Sequence, residues 1–384
     1  MGGSLGGLTA ALVLREHGCE VDVFERSAAP LEDRGAGIVL HPATIRYLTE
    51  VRARSPAELG VPARTLRYLP ADGGEPVQRP CRFRFTTYRA LYRELLAYFP
   101  AERYHAGAEV TGFEVEPGAV AVRLADGRTE DAALLVCADG AGSAARRRLL
   151  PEVEAAYAGY VGWRGAVTET ELGDAFAALH EAITYCVMPD GHVLVYPIPS
   201  LGDGERALNW LWYRNVAAGA PLDALLTDRD GHRRSISVPP GHVQDAHRRE
   251  LLAAAGASLP GPLADIVHAT AEPFVQAVHD VEVPRMAFGR ACLIGDAAFV
   301  LRPHVAAGTA KAADDGWHLG EALGAAGRDV PAALERWEPG RLRTGRIALA
   351  RTREAGERLQ FTNRWPVGAE LAFGLLEQGD SRLD

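Results

Sequence analysis

The residues best suited to chemistry are Gly295-Asp296 and the stretch that follows them to Asp315. The apolar run Ala291 to Ile294 stops at Asp296, as a buried strand does when it ends at a carboxylate. Arg302-Pro303-His304 cannot continue a central strand, and the small, unbranched residues from Ala306 to Trp317 favour a helix that starts near Gly308 and Thr309. A carboxylate accepts from a sugar hydroxyl, and the free N–H groups of a helix start favour an anion. One elongated ligand can use both. His304 lies between the proline and that helix, and an imidazole of ordinary pKa suits removal of a ring-hydroxyl proton. A loop histidine bonded to backbone is the competing reading, and Lys311 reads as a structural or solvated helix residue.

The elements that must position these groups begin at the N-terminus. Gly2-Gly3-Ser4-Leu5-Gly6-Gly7 leads into Leu8 to His17 at helical spacing, then Gly18, then a strand Cys19 to Phe24 ending at Glu25-Arg26. Loop, helix, strand and acid come in the order of a dinucleotide-binding unit. The glycines let the backbone approach a pyrophosphate, and Glu25 accepts from a ribose. Ser4 stands where the middle glycine of G-x-G-x-x-G is usual. Only Met1 precedes the loop, so the first strand of such a sheet is missing, and the expectation is that translation starts upstream. Arg34-Gly35-Ala36-Gly37-Ile38 permits close backbone contact with a flat ring or serves an ordinary turn. Leu134 to Ala138 is a buried strand that stops at Asp139-Gly140, where a turn with an Asp cap is the alternative to a ligand contact.

From Tyr157 to about Val281 the pattern changes to alternating, aromatic-rich strands: Tyr157 to Val167, Ala182 to Met188, His192 to Ile198 and Leu208 to Tyr213. Trp210 and Trp212 share a face by alternation, and Tyr185 and Tyr196 are expected to join it as the wall of a cavity for an aromatic substrate. Pro331 to Gln360 is helical, with a break expected at Pro339-Gly340.

With 384 residues and 47% hydrophobic content, the chain buries a large core and suggests two structural domains or one fold with a large insertion. A net charge of −9 argues against a nucleic-acid partner, and Arg146-Arg147-Arg148 reads as a solvated helix face. Five cysteines without a C-x-x-C indicate neither a zinc site nor a disulfide framework, and no other metal ligands are apparent; a reducing cytoplasm fits. No apolar run has the length of a membrane span.

Three segments carry a resemblance: the glycine-rich start, Asp139-Gly140 with Ser143 and Arg146, and Gly295-Asp296 followed by six residues and Pro303. In this order they resemble the fingerprints of class A FAD-dependent aromatic monooxygenases, the para-hydroxybenzoate hydroxylase-like fold. YAGYVGWRG, DGHVLVYPIP and IGDAAFVLRPHVAAGTAKAADD are similar to the subgroup of 2,6-dihydroxypyridine 3-monooxygenase-like proteins. The resemblance implies an α/β fold, with a Rossmann-like FAD-binding domain of glutathione-reductase type interleaved with a mainly antiparallel substrate sheet. Residues 1–60, 88–156 and 282–330 form the FAD part, 61–87 and 157–281 the substrate part, and 331–384 a helical closing segment. It implies FAD held at Gly2, Gly3, Ser4, Leu5, Gly6, Gly7, Glu25, Arg26, Gly37, Asp139, Asp296, Pro303, Gly308 and Thr309. NADH or NADPH is the transient electron donor.

The implied reaction hydroxylates a phenol or hydroxypyridine with O2 through a flavin C4a-hydroperoxide, with His304 as the candidate base and Tyr185, Tyr196 and Trp212 lining the substrate. In the family an arginine often opens the helix that begins here at Tyr88, and Gly-x-Asn often stands at Gly308-Thr309-Ala310. Trp210-Leu211-Trp212 lacks the Ile-Pro of flavin halogenases. A tailoring oxygenase on larger substrates and a flavin-binding protein without turnover are the alternatives. Assembly is expected as a monomer or homodimer.

Overall fold

The computed structural model describes residues 1–31, 37–199 and 204–383; Arg34, Gly35 and Ala36 lie outside the described residues. Its largest element is a ten-stranded sheet that carries the aromatic strands. The strand Ala156–Thr168 pairs antiparallel with Ala207–Asn215 on one side and Phe274–Glu282 on the other. Ala207–Asn215 pairs with Gly191–Ile198, which pairs in turn with Ala182–Met188. Val61–Tyr68 joins this edge in parallel and brings Val77–Thr87 with it. Gly191–Ile198 is buried on both faces, so it reads as a continuous apolar run with little alternation.

Each face of this sheet has its own core. One packs under the helices Asp245–Ser258 and Gly261–Ala269 around Trp163, Trp210 and Trp212. The other packs Tyr160, Tyr185, Tyr196 and Tyr213 against the C-terminal helix. That helix runs from Val330 to Gln360 without a break, contrary to the break expected at Pro339-Gly340. Proline removes one helical hydrogen bond and crowds the preceding turn. Tertiary contacts hold the helix on both sides of it: Trp337 Nε1 donates to Asp315 O at 3.0 Å, and Arg341 is paired with Asp314.

The remaining sheets are small. Val23–Glu25 lies parallel to Tyr104–Ala106, and Ala291–Leu293 lies parallel to Leu135–Cys137. Met1 and Gly2 run between these pairs, where the Met1 amino group donates to Val136 O at 2.7 Å and Gly2 N to Phe24 O at 2.9 Å. The helix Leu5–Glu16 packs closely on Gly308–Ala325 because the latter presents Gly316, where a Cβ would fall 2.8 Å from Ala10 Cα. The first residues of both helices therefore reach one cavity.

Candidate active site

A single cavity of about 710 Å3 runs from Glu25 and Arg26, past both helix starts, to the aromatic face of the large sheet. At its first end the chain is shaped by backbone crowding. A Cβ on Gly7 would lie 1.9 Å from Gly2 O, and one on Gly2 would lie 2.3 Å from Ala138 O. Gly7 and Gly3 do not line the cavity; they allow the turn, whereas Gly2, Ser4, Leu5 and Gly6 do line it. The Glu25 carboxylate is fixed by Gly3 N and Ser27 N, each at 2.9 Å. Ser4 and Tyr88, the two departures from the family pattern, meet each other: their hydroxyls lie 2.7 Å apart. Because the Ser4 hydroxyl is used this way, it does not cap the helix it precedes, and among the described residues that helix start keeps unpartnered N–H groups.

Midway along the cavity, Asp296 points into open space with no hydrogen-bond or ion-pair partner among the described residues. Arg146 is buried, not on a solvated face as expected, and its guanidinium donates to Asp296 O at 3.2 Å and Ala297 O at 2.9 Å. The run of three arginines concealed this, since Arg147 and Arg148 are exposed. The Asp139 carboxylate accepts from Ser143 Oγ at 2.6 Å and Ala145 N at 3.1 Å, so it lines the cavity while its oxygens organise the turn. Lys311 is fully buried and paired with Asp315, whose Oδ2 also takes Gly295 N at 2.9 Å. This pair ties the Gly-Asp loop to the helix Gly308–Ala325. Pro303, Gly308 and Thr309 line the cavity, and a Cβ on Gly308 would meet nothing within 4 Å.

At the far end the sheet supplies the wall. Gly37 is pinned there: its N donates to Asn209 Oδ1 at 3.0 Å and its O accepts from Tyr196 Oη at 2.9 Å. Tyr185 and Tyr196 line the cavity as expected, but Trp212 does not. Antiparallel pairing sets Tyr196 opposite Asn209 and His192 opposite Tyr213, so Asn209, Leu211 and Tyr213 share the cavity face. Trp210 and Trp212 point the other way, into the core under the helices, where Trp210 Nε1 donates to Thr270 Oγ1 at 2.8 Å. Both faces of Ala207–Asn215 are apolar and aromatic, so alternation alone cannot say which one faces the ligand.

His304 reaches the cavity, with one feature contrary to expectation. It is buried, and burial together with His192 and Arg302 pushes its imidazole well below the ordinary value. It is therefore a neutral hydrogen-bonding group at pH 7 and not a base of ordinary strength. Its Nε2 lies 2.6 Å from Tyr160 Oη, while its buried Nδ1 has no partner among the described residues. His192, which sequence reasoning missed, lies 5.2 Å from it ring to ring and is pushed down to about 3 by burial. Gln360 holds the His192 Nδ1 at 2.7 Å. Tyr213 and Arg164 were missed as well; both line the cavity. Among the described residues no helix is long and apolar enough to cross a membrane.

A glycine-bounded trough joined to an aromatic sheet has the shape a flavin-dependent oxidoreductase needs, and comparison with known proteins gives the family. Residues 157–280 match the family model described as FAD binding domain-like. The chain is 40% identical to the 2,6-dihydroxypyridine 3-monooxygenase of Paenarthrobacter nicotinovorans, over 98% of this chain and 94% of that one. The solved structure of 2,6-dihydroxypyridine-3-hydroxylase from Arthrobacter nicotinovorans superposes with a TM-score of 0.93 at 38% identity, covering 98% of this chain and 96% of that chain. A 3-amino-4-hydroxybenzoate 2-monooxygenase of Streptomyces platensis is 30% identical over 93% of this chain and 86% of that one. The chain belongs to the class A FAD-dependent monooxygenases, and it is a single-component enzyme that uses FAD and NAD(P)H.

Proposed function

We propose that this enzyme inserts one oxygen atom into a small electron-rich ring of the phenol or hydroxypyridine type, bound beneath the Tyr185, Tyr196 and Tyr213 face. The reading rests on one observation: the Glu25 end and the His304 end belong to the same continuous cavity. The residues fit FAD. Unpartnered N–H groups at the first helix start, a free carboxylate at Asp296 and open space over Gly308 form a cradle for a long anionic molecule with hydroxyl groups. Glu25 would accept from the adenosine ribose, with Arg26 at the exposed rim; Leu5 and Gly6 would face the pyrophosphate; Asp296 and Pro303 would border the chain between pyrophosphate and ring. Bound FAD supplies the redox chemistry, taking electrons from NAD(P)H and passing one atom of O2 to the substrate.

The protein's own part is placement and charge. Backbone N–H groups at Gly308 and Thr309 would favour negative charge on the facing ring edge, as an oxyanion hole does. Gly37, held by Asn209 and Tyr196, would lie against the same ring. His304 would border the substrate as a neutral, buried ring whose Nε2 is held by Tyr160. The relatives named for dihydroxypyridine and aminohydroxybenzoate substrates favour a ring bearing two polar substituents. The test is a panel of hydroxypyridines, aminophenols and polycyclic phenols scored for hydroxylated product per NAD(P)H consumed. Coupled product from a small two-substituent ring is expected; product from polycyclic substrates alone overturns the reading.

A further inference from the structure

We propose that Phe373, carried into the cavity by the C-terminal segment 371–381, sets the size of ring this enzyme accepts: one six-membered ring fits beside it, and a second fused ring does not. The inference rests on the substrate reading above and adds a specificity-determining residue to it.

Residues 371–381 form neither helix nor strand, and such a segment near a chain end is ordinarily loose unless it is tied down. Here the ties are many. The Asp380 carboxylate gathers a turn: Oδ1 accepts from Leu375 N at 2.8 Å, and Oδ2 from Leu376 N at 2.8 Å and Glu377 N at 3.2 Å. Gly374 has a φ of +143°, and a Cβ there would fall 2.0 Å from Glu377 O, so the turn requires glycine. Asp380 Oδ1 also lies 3.0 Å from His41 Nε2; because His41 Nδ1 accepts from Ala43 N, Nε2 carries the proton and donates. Gly374 N donates to Val305 O at 2.9 Å, and Arg351 of the C-terminal helix donates to Gly374 O and, at 2.8 Å, to Ala372 O.

These ties join two loops of the site, since His41 is four residues beyond Gly37 and Val305 follows His304. Between them the segment delivers Phe373, which is 2% exposed, lines the cavity, and packs edge-on against Phe83 with ring centroids 5.1 Å apart. Leu371 and Leu375 flank it in the same core as Tyr185 and Tyr196. Tyr185, Tyr196 and Tyr213 stand on strands, whereas Phe373 is supplied by coil and walls the cavity from outside the sheet. The whole cavity of about 710 Å3 has to hold FAD as well, so the room left at this end is small. Interiors are close-packed, and a ligand that overlaps a locked side chain is rejected because neither can give way.

The experiment uses the FAD-loaded enzyme and follows flavin absorbance while 2,6-dihydroxypyridine, or the same ring with a benzo ring fused to it, 1,3-dihydroxyisoquinoline, is titrated in. Wild type should bind the single ring and discriminate against the fused one. Phe373→Ala should shift the ratio of the two dissociation constants roughly 10- to 100-fold toward the fused ring, and Phe373→Leu part of the way. Asp380→Ala removes the anchor of the turn without changing a cavity-lining residue, and should move the ratio in the same direction by a smaller factor; a mere loss of stability leaves the ratio where it was. Flavin content and thermal melting are measured on the same samples, and Phe373→Leu carries the test if Phe373→Ala does not fold with FAD. Equal binding of both ligands by wild type, or an unmoved ratio in the Phe373 variants, overturns the proposal; an unmoved ratio in Asp380→Ala overturns the part given to the segment. If wild type binds no single ring, the substrate reading fails and takes this inference with it. If wild type selects the single ring and every variant selects it equally, this inference alone fails.

Discussion

The two ends of the cavity were built by different means. At the Glu25 end the backbone does the work: Gly2 and Gly7 cross within contact, two main-chain N–H groups fix one carboxylate, and the helix start is left uncapped. At the sheet end side chains do it, and what each one reaches depends on how four strands register against each other. A site made of backbone is intolerant of added atoms, whereas a site made of side chains is tunable residue by residue. This difference lets one frame for FAD serve many substrates.

The sharpest way to break the comparison is at the backbone end. Gly7→Val places a side chain into Gly2 O and should abolish FAD retention, read as flavin absorbance per protein after purification, with thermal melting showing whether a fold survives. A yellow, stable Gly7→Val protein would show that the turn has slack.

The same contrast explains what was legible in the sequence. The first end is local: glycine spacing, Glu25 after a strand, and Gly295-Asp296 before Pro303 lie within short segments whose geometry follows from residue type. The sheet end is not. Tyr196 and Trp212 both look like wall residues, and only the opposition of Tyr196 to Asn209 turns Trp212 away. Arg146 hid in a basic run, and the neutral state of His304 depends on burial among residues far apart in the chain. Pro339 misled because local propensity was outweighed by the anchors at Trp337 and Arg341.

At the sheet end the next largest effect belongs to His304. His304→Gln should lower kcat roughly 10-fold, the size expected for loss of a neutral hydrogen-bonding group, while FAD content stays at wild-type level. Unchanged kcat would remove His304 from the chemistry and leave it a structural neighbour of Tyr160.

Tyr213 and Trp212 sharpen the comparison within one strand. Trp212→Ala should cost roughly 3–5 kcal/mol of stability, because it empties a core, and should leave KM near wild type. Tyr213→Phe should do the reverse, moving KM or kcat several-fold with a small change in Tm. Exchange of these two outcomes would mean that the register is wrong.

The most gradual effect is a pH slope. His192 is held near 3 in the folded chain and His304 well below the ordinary value, against about 6.5 when unfolded. Between those values the unfolded chain takes up protons that the folded one does not. Their contribution to stability is complete above about pH 6.5 and is lost as pH falls toward 3, by up to about 1.4 kcal/mol per pH unit for each histidine. Thermal melting from pH 7.5 to 5 should show Tm falling in wild type and falling less steeply in His192→Asn. Identical slopes would place the buried histidines outside the acid response.

The central claim is that one FAD molecule joins the two ends. A crystal structure of the FAD-loaded enzyme with 2,6-dihydroxypyridine tests it most directly. The adenosine ribose is expected against Glu25 and the flavin ring between Gly308 and the Tyr196 face, with the substrate beside His304. FAD seated elsewhere, or a ribose remote from Glu25, would contradict the account.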